Sequence, residues 1–501
     1  MSDPRQPILI TGGRVLDLDG DIDQPEPSDL LIESGRIVAA GNDAQSARRS
    51  TAITTIDARG KLIIPGLINA HYHSHDVMLR GLFEQLPLDA WQLYSAPHNY
   101  QRPPDEDIGL RTRLGAAECL LNGMTTVQDM VSIVDADRDQ LDSIQRAYSE
   151  SGIRVVLALQ YADRAAVDCV AFWRDLPEPV KAQLPDATDT TALQALIGER
   201  VTSRHDRLHW ALGPSAPQRC SDALLRWTAD LSRQHRLQVF THAYEARSQA
   251  VLARMEYPEG SLVPHIAAMG LLNERLTIAH GVWIGTPEIK RLGAARANLA
   301  CNPVSNMKLL NGFAPIVDYA DAGTNIGLGC DNCSGNDAQN IFQSMKMFAL
   351  FWGLYSNAGD TGAAREAFKA ATVGGARALG LSNELGLLRP GYRADLVMID
   401  LDDASYRPLN SAVRQLVYSE SGKGVHTVMV DGTIVVSGGK LLTMSETMLK
   451  TEAEIARKRL LPDTKQIRIR NDRFLADILS AYEKADRYPL DFDRRLLRRQ
   501  P

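Results

Sequence analysis

Eight short apolar runs, separated by longer stretches whose apolar residues recur at helical spacing, constrain this chain more than any other feature. They occupy residues 67–70, 125–129, 155–159, 208–212, 239–242, 276–280, 298–301 and 326–329. Runs this short, apolar throughout, read as parallel strands buried on both faces, and the stretches between them as crossover helices. Eight such units predict an α/β fold, a closed (β/α)8 barrel of TIM type whose active site lies where the runs end. Asn122-Gly123 and Ser151-Gly152 act as helix stops just ahead of two of the runs.

The two ends of the chain have a different texture. Residues 8–11, 14–16, 29–32 and 36–40 read as short strands between turns, and the pattern returns at 394–399, 427–430 and 433–436, the last two joined by an Asp431-Gly432 hairpin signal. The economical reading is a small β-sandwich domain built from residues 1–65 and 386–440, with the barrel, 66–385, inserted between them. Residues 446–461 form a charged helical stretch ending at Pro462, and 474–484 are amphipathic. The segment 441–501 is therefore expected to be a helical extension packed on the surface or on a second subunit, and a homo-oligomer is the expected assembly.

Composition narrows the partner. With 44% apolar residues, 23% charged and a net charge of −6, the chain has no basic excess for binding nucleic acid or an anionic membrane. A small-molecule substrate, uncharged or modestly polar, is expected. Residues 1–7 lack the start of a signal peptide and no apolar run approaches the ~20 residues of a membrane helix, so a cytoplasmic location is expected. The six cysteines, Cys119, Cys169, Cys220, Cys301, Cys330 and Cys333, are scattered as reduced structural thiols would be.

The run ends carry the chemistry. His71-Tyr72-His73 follows the first run, and period-two alternation sends both imidazoles to one side, where they can share a cation. His75 is a third member or a bystander. Three other runs end in, or just before, a metal-ligand or acid/base residue: His242, His280 and Asp331. A barrel gathers its strand ends around one axis, so these distant residues can complete one coordination shell. Glu245, three residues after His242, places a carboxylate where it can move protons, unless Arg247 pairs with it and lowers its pKa. Cys330 and Cys333 bracket Asp331 and are expected to line the pocket. Trp91, Tyr94 and His98 are placed either to wall a flat ring or simply to pack the first loop.

Several runs together resemble the amidohydrolase superfamily, in its branch of aminohydrolases and triazine chlorohydrolases. They are Pro65-Gly66-Leu67-Ile68-Asn69-Ala70-His71-Tyr72-His73, Leu79-Arg80-Gly81, Leu86-Pro87-Leu88 before Trp91, and Gly123-Met124-Thr125-Thr126. Further on come His242-Ala243-Tyr244-Glu245, His280-Gly281, Asn302-Pro303-Val304-Ser305-Asn306-Met307-Lys308-Leu309 and Pro390-Gly391-Tyr392-Arg393-Ala394-Asp395-Leu396-Val397.

The resemblance implies one divalent ion, Zn2+ first and Fe2+ as the alternative, held by His71, His73, His242 and Asp331. It also implies Glu245, His280 and Asp331 as the proton-handling groups. The implied activity is hydrolytic deamination of an amino-substituted nitrogen heterocycle, in which metal-activated water attacks the ring carbon and Glu245 shuttles a proton to the leaving amine. The alternative is displacement of halide or alkylamine from a similar ring. Nucleoside-type members such as the S-adenosylhomocysteine deaminases carry Gly-Pro-His where this chain has Gly213-Pro214-Ser215, so a substrate other than the familiar adenosine-type nucleosides is expected. After Asp331, only Asn336 matches the family run well. Trp91, Ser215, Gln218 and Asn336 are the expected substrate contacts. A barrel retained only for binding is disfavoured by the full set of candidate ligands.

Overall fold

The computed structural model describes residues 6–46, 53–95, 103–203, 205–357 and 362–495. The eight apolar runs are strands: Leu67–His73, Met124–Val131, Arg154–Tyr161, Leu208–Pro214, Val239–Ala243, Leu276–His280, Asn298–Cys301 and Asn325–Leu328, each hydrogen-bonded to the next. The eighth breaks at Gly329-Cys330 and resumes as Asp331–Asn332, which pairs in parallel with the first strand and closes the ring. Gly329 is required by this closure, since a Cβ there would lie 2.1 Å from Asn302 Oδ1 and 2.9 Å from His71 Cβ. The barrel interior is one buried cluster of small side chains around Phe240, including Ala70, Ala158, Ala211, Ala279 and Ala300.

A β-bulge corrects the simple alternation expected of the first strand. Its register against the second strand slips between Asn69 and Tyr72. Ile68 and Ala70 belong to the interior cluster, whereas Tyr72 packs outward among the helices. Gly115 makes room for that ring, because a Cβ there would sit 1.6 Å from the Tyr72 hydroxyl. The extra residue changes the phase of the strand, so His71 and His73 turn to the side that Ile68 and Ala70 occupied lower down.

The strands from the two chain ends form one branched nine-stranded sheet, a continuous form of the expected sandwich. Strand Ile8–Val15 pairs in parallel with Thr54–Asp57 along its first half and with Lys61–Pro65 at its end, and its antiparallel pairing with Pro27–Glu33 slips register between Ile10 and Gly13. Ile10, Ile32 and Ile63 from the N-terminal end share a core with Leu396 and Met429 from the C-terminal end. The Asp431-Gly432 turn has both residues at positive φ, 48° and 73°, as a tight hairpin requires.

A buried ion network ties this sheet to the barrel. Arg154, with a fully buried side chain at the start of the third barrel strand, donates to Asp395 at 3.1 Å and Asp431 at 2.7 Å. Arg207 and Arg393 add contacts to Asp431 at 3.2 and 2.8 Å. Asp395 and Asp431 belong to the β-sheet end of the chain, so the network spans both parts.

The C-terminal helix does not stop at Pro462. It runs Glu446–Asn471 through the proline and is followed by Leu475–Arg487. A mid-helix proline costs about 3 kcal/mol, so contacts on both sides must hold the helix in place. Arg113 meets Glu452 at 2.6 Å and Arg459 pairs with Asp107 before the proline, while Asn471 donates to Leu93 O after it. Among the described residues no helix is long and apolar enough to cross a membrane.

Removing one member of a buried ion network strands its partner's charge. Arg154→Met is therefore expected to destabilise the protein by about 3–5 kcal/mol in chemical denaturation, whereas Arg138→Ala, which breaks the exposed pair with Glu199, should leave the midpoint nearly unchanged.

Candidate functional site

At the strand C-termini the structure brings together His71, His73, His242, His280, Glu245 and Asp331. His71, His73 and His242 have ligand atoms within 4.8 Å of one another, and so do His71, His280 and Asp331. Each residue is aimed by its local backbone. His71 and His73 follow the bulge, while His280 and Asp331 adopt positive φ, 73° and 61°, which turns them out of their strands. Such conformations cost energy in non-glycine residues and are typical of functional positions.

Hydrogen bonds fix the protonation of the rings. His73 Nδ1 donates to Met130 O at 2.6 Å, and His242 Nδ1 donates to Ser215 O at 2.7 Å. Both Nε2 atoms must then be bare lone pairs in the neutral rings, yet they face each other at 3.2 Å. Two lone pairs repel, so this contact is favourable only with a proton or a cation between them. Burial and the neighbouring imidazoles oppose a proton, holding His242 down to about 3 and His71 well below its usual value. His71 Nε2 is buried without a hydrogen-bond partner and stands 3.5 Å from Asp331 Oδ1, which is also 3.5 Å from His73 Nε2.

Two ligands about 2.0–2.1 Å from a tetrahedral ion lie about 3.3 Å apart. The spacings of 3.2 and 3.5 Å therefore fit such an ion. Three imidazoles and one carboxylate are a donor set suited to zinc or iron.

Beside this cluster stand the groups suited to moving protons. Burial pushes the Glu245 carboxyl up to about 7, with nearby His280 working the other way. Asn311 Nδ2 donates to its Oε1 at 3.2 Å. Arg247 does not pair with Glu245, and so the expected weakening of the base does not arise. Its guanidinium lies over the Trp283 ring at 4.8 Å and donates to the backbone oxygens of Ala485 and Tyr488. His280 Nδ1 donates to Asn306 Oδ1 at 2.8 Å, leaving Nε2 3.7 Å from Glu245 and 3.8 Å from Asp331. Asp331 Oδ2 accepts from the Ser305 hydroxyl at 2.5 Å. Burial would raise the Asp331 carboxyl, but the imidazoles of His280 and His73 and the Ser305 hydroxyl hold it below its usual value.

A cavity of about 170 Å3 opens over these residues. Trp91, Ser215 and Gln218 line it, as does His75, which lies outside both ligand clusters. Asn336 does not line it. Its side-chain amide turns back to donate to Cys330 O at 2.5 Å, which braces the break in the eighth strand. Cys330 and Cys333 are buried behind the wall and do not line the cavity, and all six thiols are free and buried. Tyr94 also points away, donating to Asp472 at 2.9 Å, and His98 lies outside the described residues.

Sequence reasoning missed the loop after the seventh strand as a support. Ser305, Asn306 and Asn311 respectively hold Asp331, His280 and Glu245. The Asn302-Pro303-Val304-Ser305-Asn306 run was its signal. The carbonyls of Met130 and Ser215 leave no trace in residue type.

Residues 62–435 match the amidohydrolase family. The chain belongs to that family. It is 33% identical over 431 residues to a 5-methylthioadenosine/S-adenosylhomocysteine deaminase of Thermococcus kodakarensis, covering 86% of this chain and 94% of that one. It is 31% identical to a 5′-deoxyadenosine deaminase of Methanothermobacter thermautotrophicus, covering 90% and 97%. Among solved structures it resembles a zinc-bound adenosine deaminase from Xanthomonas campestris, with a TM-score of 0.78, 26% identity and coverage of 90% and 98%. A zinc complex of an atrazine chlorohydrolase from Arthrobacter aurescens shares the fold at a TM-score of 0.76 and 23% identity, covering 90% and 100%. The amidohydrolase chain described here is a hydrolase of carbon–nitrogen bonds other than peptide bonds.

Proposed function

We propose that this amidohydrolase deaminates an amino-substituted nitrogen heterocycle, with an aminopurine as the first candidate ring. The observation that carries the reading is the Glu245 carboxyl, buried beside His280 and poised near neutrality at the edge of the imidazole cluster. The relatives' deaminase names support it. His71, His73, His242 and Asp331 would hold the ion, zinc first and iron(II) as the alternative. When bound, such a cation acidifies water and stabilises charge developing on the ring.

The remaining steps belong to the chain. Glu245 takes a proton from the attacking water and returns it to the departing amine, a transfer that suits a group whose pKa lies near the working pH. His280, its Nδ1 fixed by Asn306, presents Nε2 between Glu245 and Asp331 and orients the water's second proton. Asn311 keeps Glu245 Oε1 in place, so Oε2 is the oxygen that faces the reaction. On the substrate side, Gln160 Nε2 donates to the Ser215 hydroxyl at 2.8 Å, which leaves that hydroxyl's own proton for a ring nitrogen.

Ammonia release from a panel of aminated purines, pyrimidines, pterins and triazines tests the reading. At least one should react, and Glu245→Gln should lower its kcat by roughly 10³-fold with metal content unchanged. Chloride or alkylamine release without ammonia would favour the alternative, and silence across the panel with metal bound would contradict deamination. Because Glu245 must be ionised to accept the proton, kcat/KM should fall as the pH drops through its pKa. That acid limb should be missing from the residual activity of Glu245→Gln.

A further inference from the structure

The C-terminal helices reach the substrate cavity, although they lie beyond the residues that match the family. Asn471, the last residue of the long helix, sits in the cavity wall and is 3% exposed. Phe474, Ile478 and Ala481 then pack into one buried apolar cluster with Leu93, Val170, Trp173 and Leu184. Those last four line the cavity directly. The wall on this side thus has two layers, with inner side chains from the first loop and the 166–184 segment and outer ones from the C-terminal helices.

Polar contacts lock the outer layer. Tyr94 donates to Asp472 at 2.9 Å, Asn471 donates to Leu93 O, and Arg247, at the start of the helix after the fifth barrel strand, reaches over to the backbone oxygens of Ala485 and Tyr488. The indole nitrogens of Trp91 and Trp173, both on the cavity wall, are buried with no protein partner.

We propose that the C-terminal helices are a specificity element, which fixes the outer wall of the cavity and so limits the length of the substituent that the ring can carry. This rests on the proposed heterocycle deamination. Phe474 and Ile478 act as positioning residues, since they touch the wall and not the substrate. Loosening them lets Leu93, Val170 and Trp173 move outward, which lengthens the cavity without disturbing His242 or Glu245. The enzyme as built therefore favours rings with compact substituents.

The test uses zinc-loaded protein, wild type, Ile478→Ala and the milder Tyr94→Phe. One readout does not depend on turnover. Cys169 lines the cavity, while Cys119 and Cys301 are buried away from it, so the rates at which the three thiols react with iodoacetamide can be compared by mass spectrometry. The second is kcat and KM for 5′-deoxyadenosine and S-adenosylhomocysteine, which share a ring and differ in substituent length.

Both variants should label Cys169 several-fold faster with Cys119 and Cys301 still protected. They should also shift the kcat/KM ratio about tenfold toward the longer substrate, chiefly through KM. Unchanged labelling of Cys169, or an unchanged ratio, would overturn the proposal, and so would labelling of all three thiols together, which would make the helices a general stabiliser. If neither nucleoside reacts, deamination of these nucleosides is ruled out and the Cys169 result alone decides this proposal.

Discussion

The contact on which the site depends is the one between His73 Nε2 and His242 Nε2, two lone pairs held 3.2 Å apart by rings whose other nitrogens are tied to backbone carbonyls. Left alone, this arrangement is repulsive, and burial with the neighbouring imidazoles disfavours a relieving proton on His242. A divalent cation removes the conflict, and the carboxylate of Asp331 and the bare nitrogen of His71 stand where they would complete its shell. Other features can be read as holding this arrangement in place. The bulge in the first strand turns the two histidines inward, the break in the eighth strand presents Asp331, and Gly329 lets those two strands approach closely enough for both to take part.

The supports are layered. The loop after the seventh strand gives one side chain each to Asp331, His280 and Glu245, so a single segment sets the geometry of the three groups proposed to handle protons. Preorganised hydrogen bonds of this kind matter because a displaced catalytic group loses much of its effect. Farther out, the buried Arg154 network holds the opposite end of the barrel to the β-sheet, away from the chemistry. Stability and reactivity are thus carried by opposite faces, the usual division in barrels of this type.

Much of the architecture was legible in the sequence because strands buried on both faces leave continuous apolar runs, and all eight runs are strands. The convergence of His71, His73, His242, His280 and Asp331 followed from their places at run ends. What the sequence hid was conformational. Strict alternation would have carried Ile68, Ala70 and Tyr72 on one side, and only the bulge reconciles an apolar interior with inward histidines. Pro462 read as a stop because propensity is local, whereas the contacts of Glu452, Arg459 and Asn471 that hold the helix are not. Asn336 matched the family run yet turns its amide to a backbone carbonyl, and Arg247 spends its charge on the C-terminal segment instead of on Glu245.

The measurement that bears most directly on this account is the metal content of the purified protein beside that of His242→Ala, by mass spectrometry after dialysis against metal-free buffer. The facing lone pairs predict about one zinc or iron per chain in the wild type and a loss of more than tenfold in the variant. Equal metal in both proteins, or a metal-free wild type that still releases ammonia from its substrate, would contradict it.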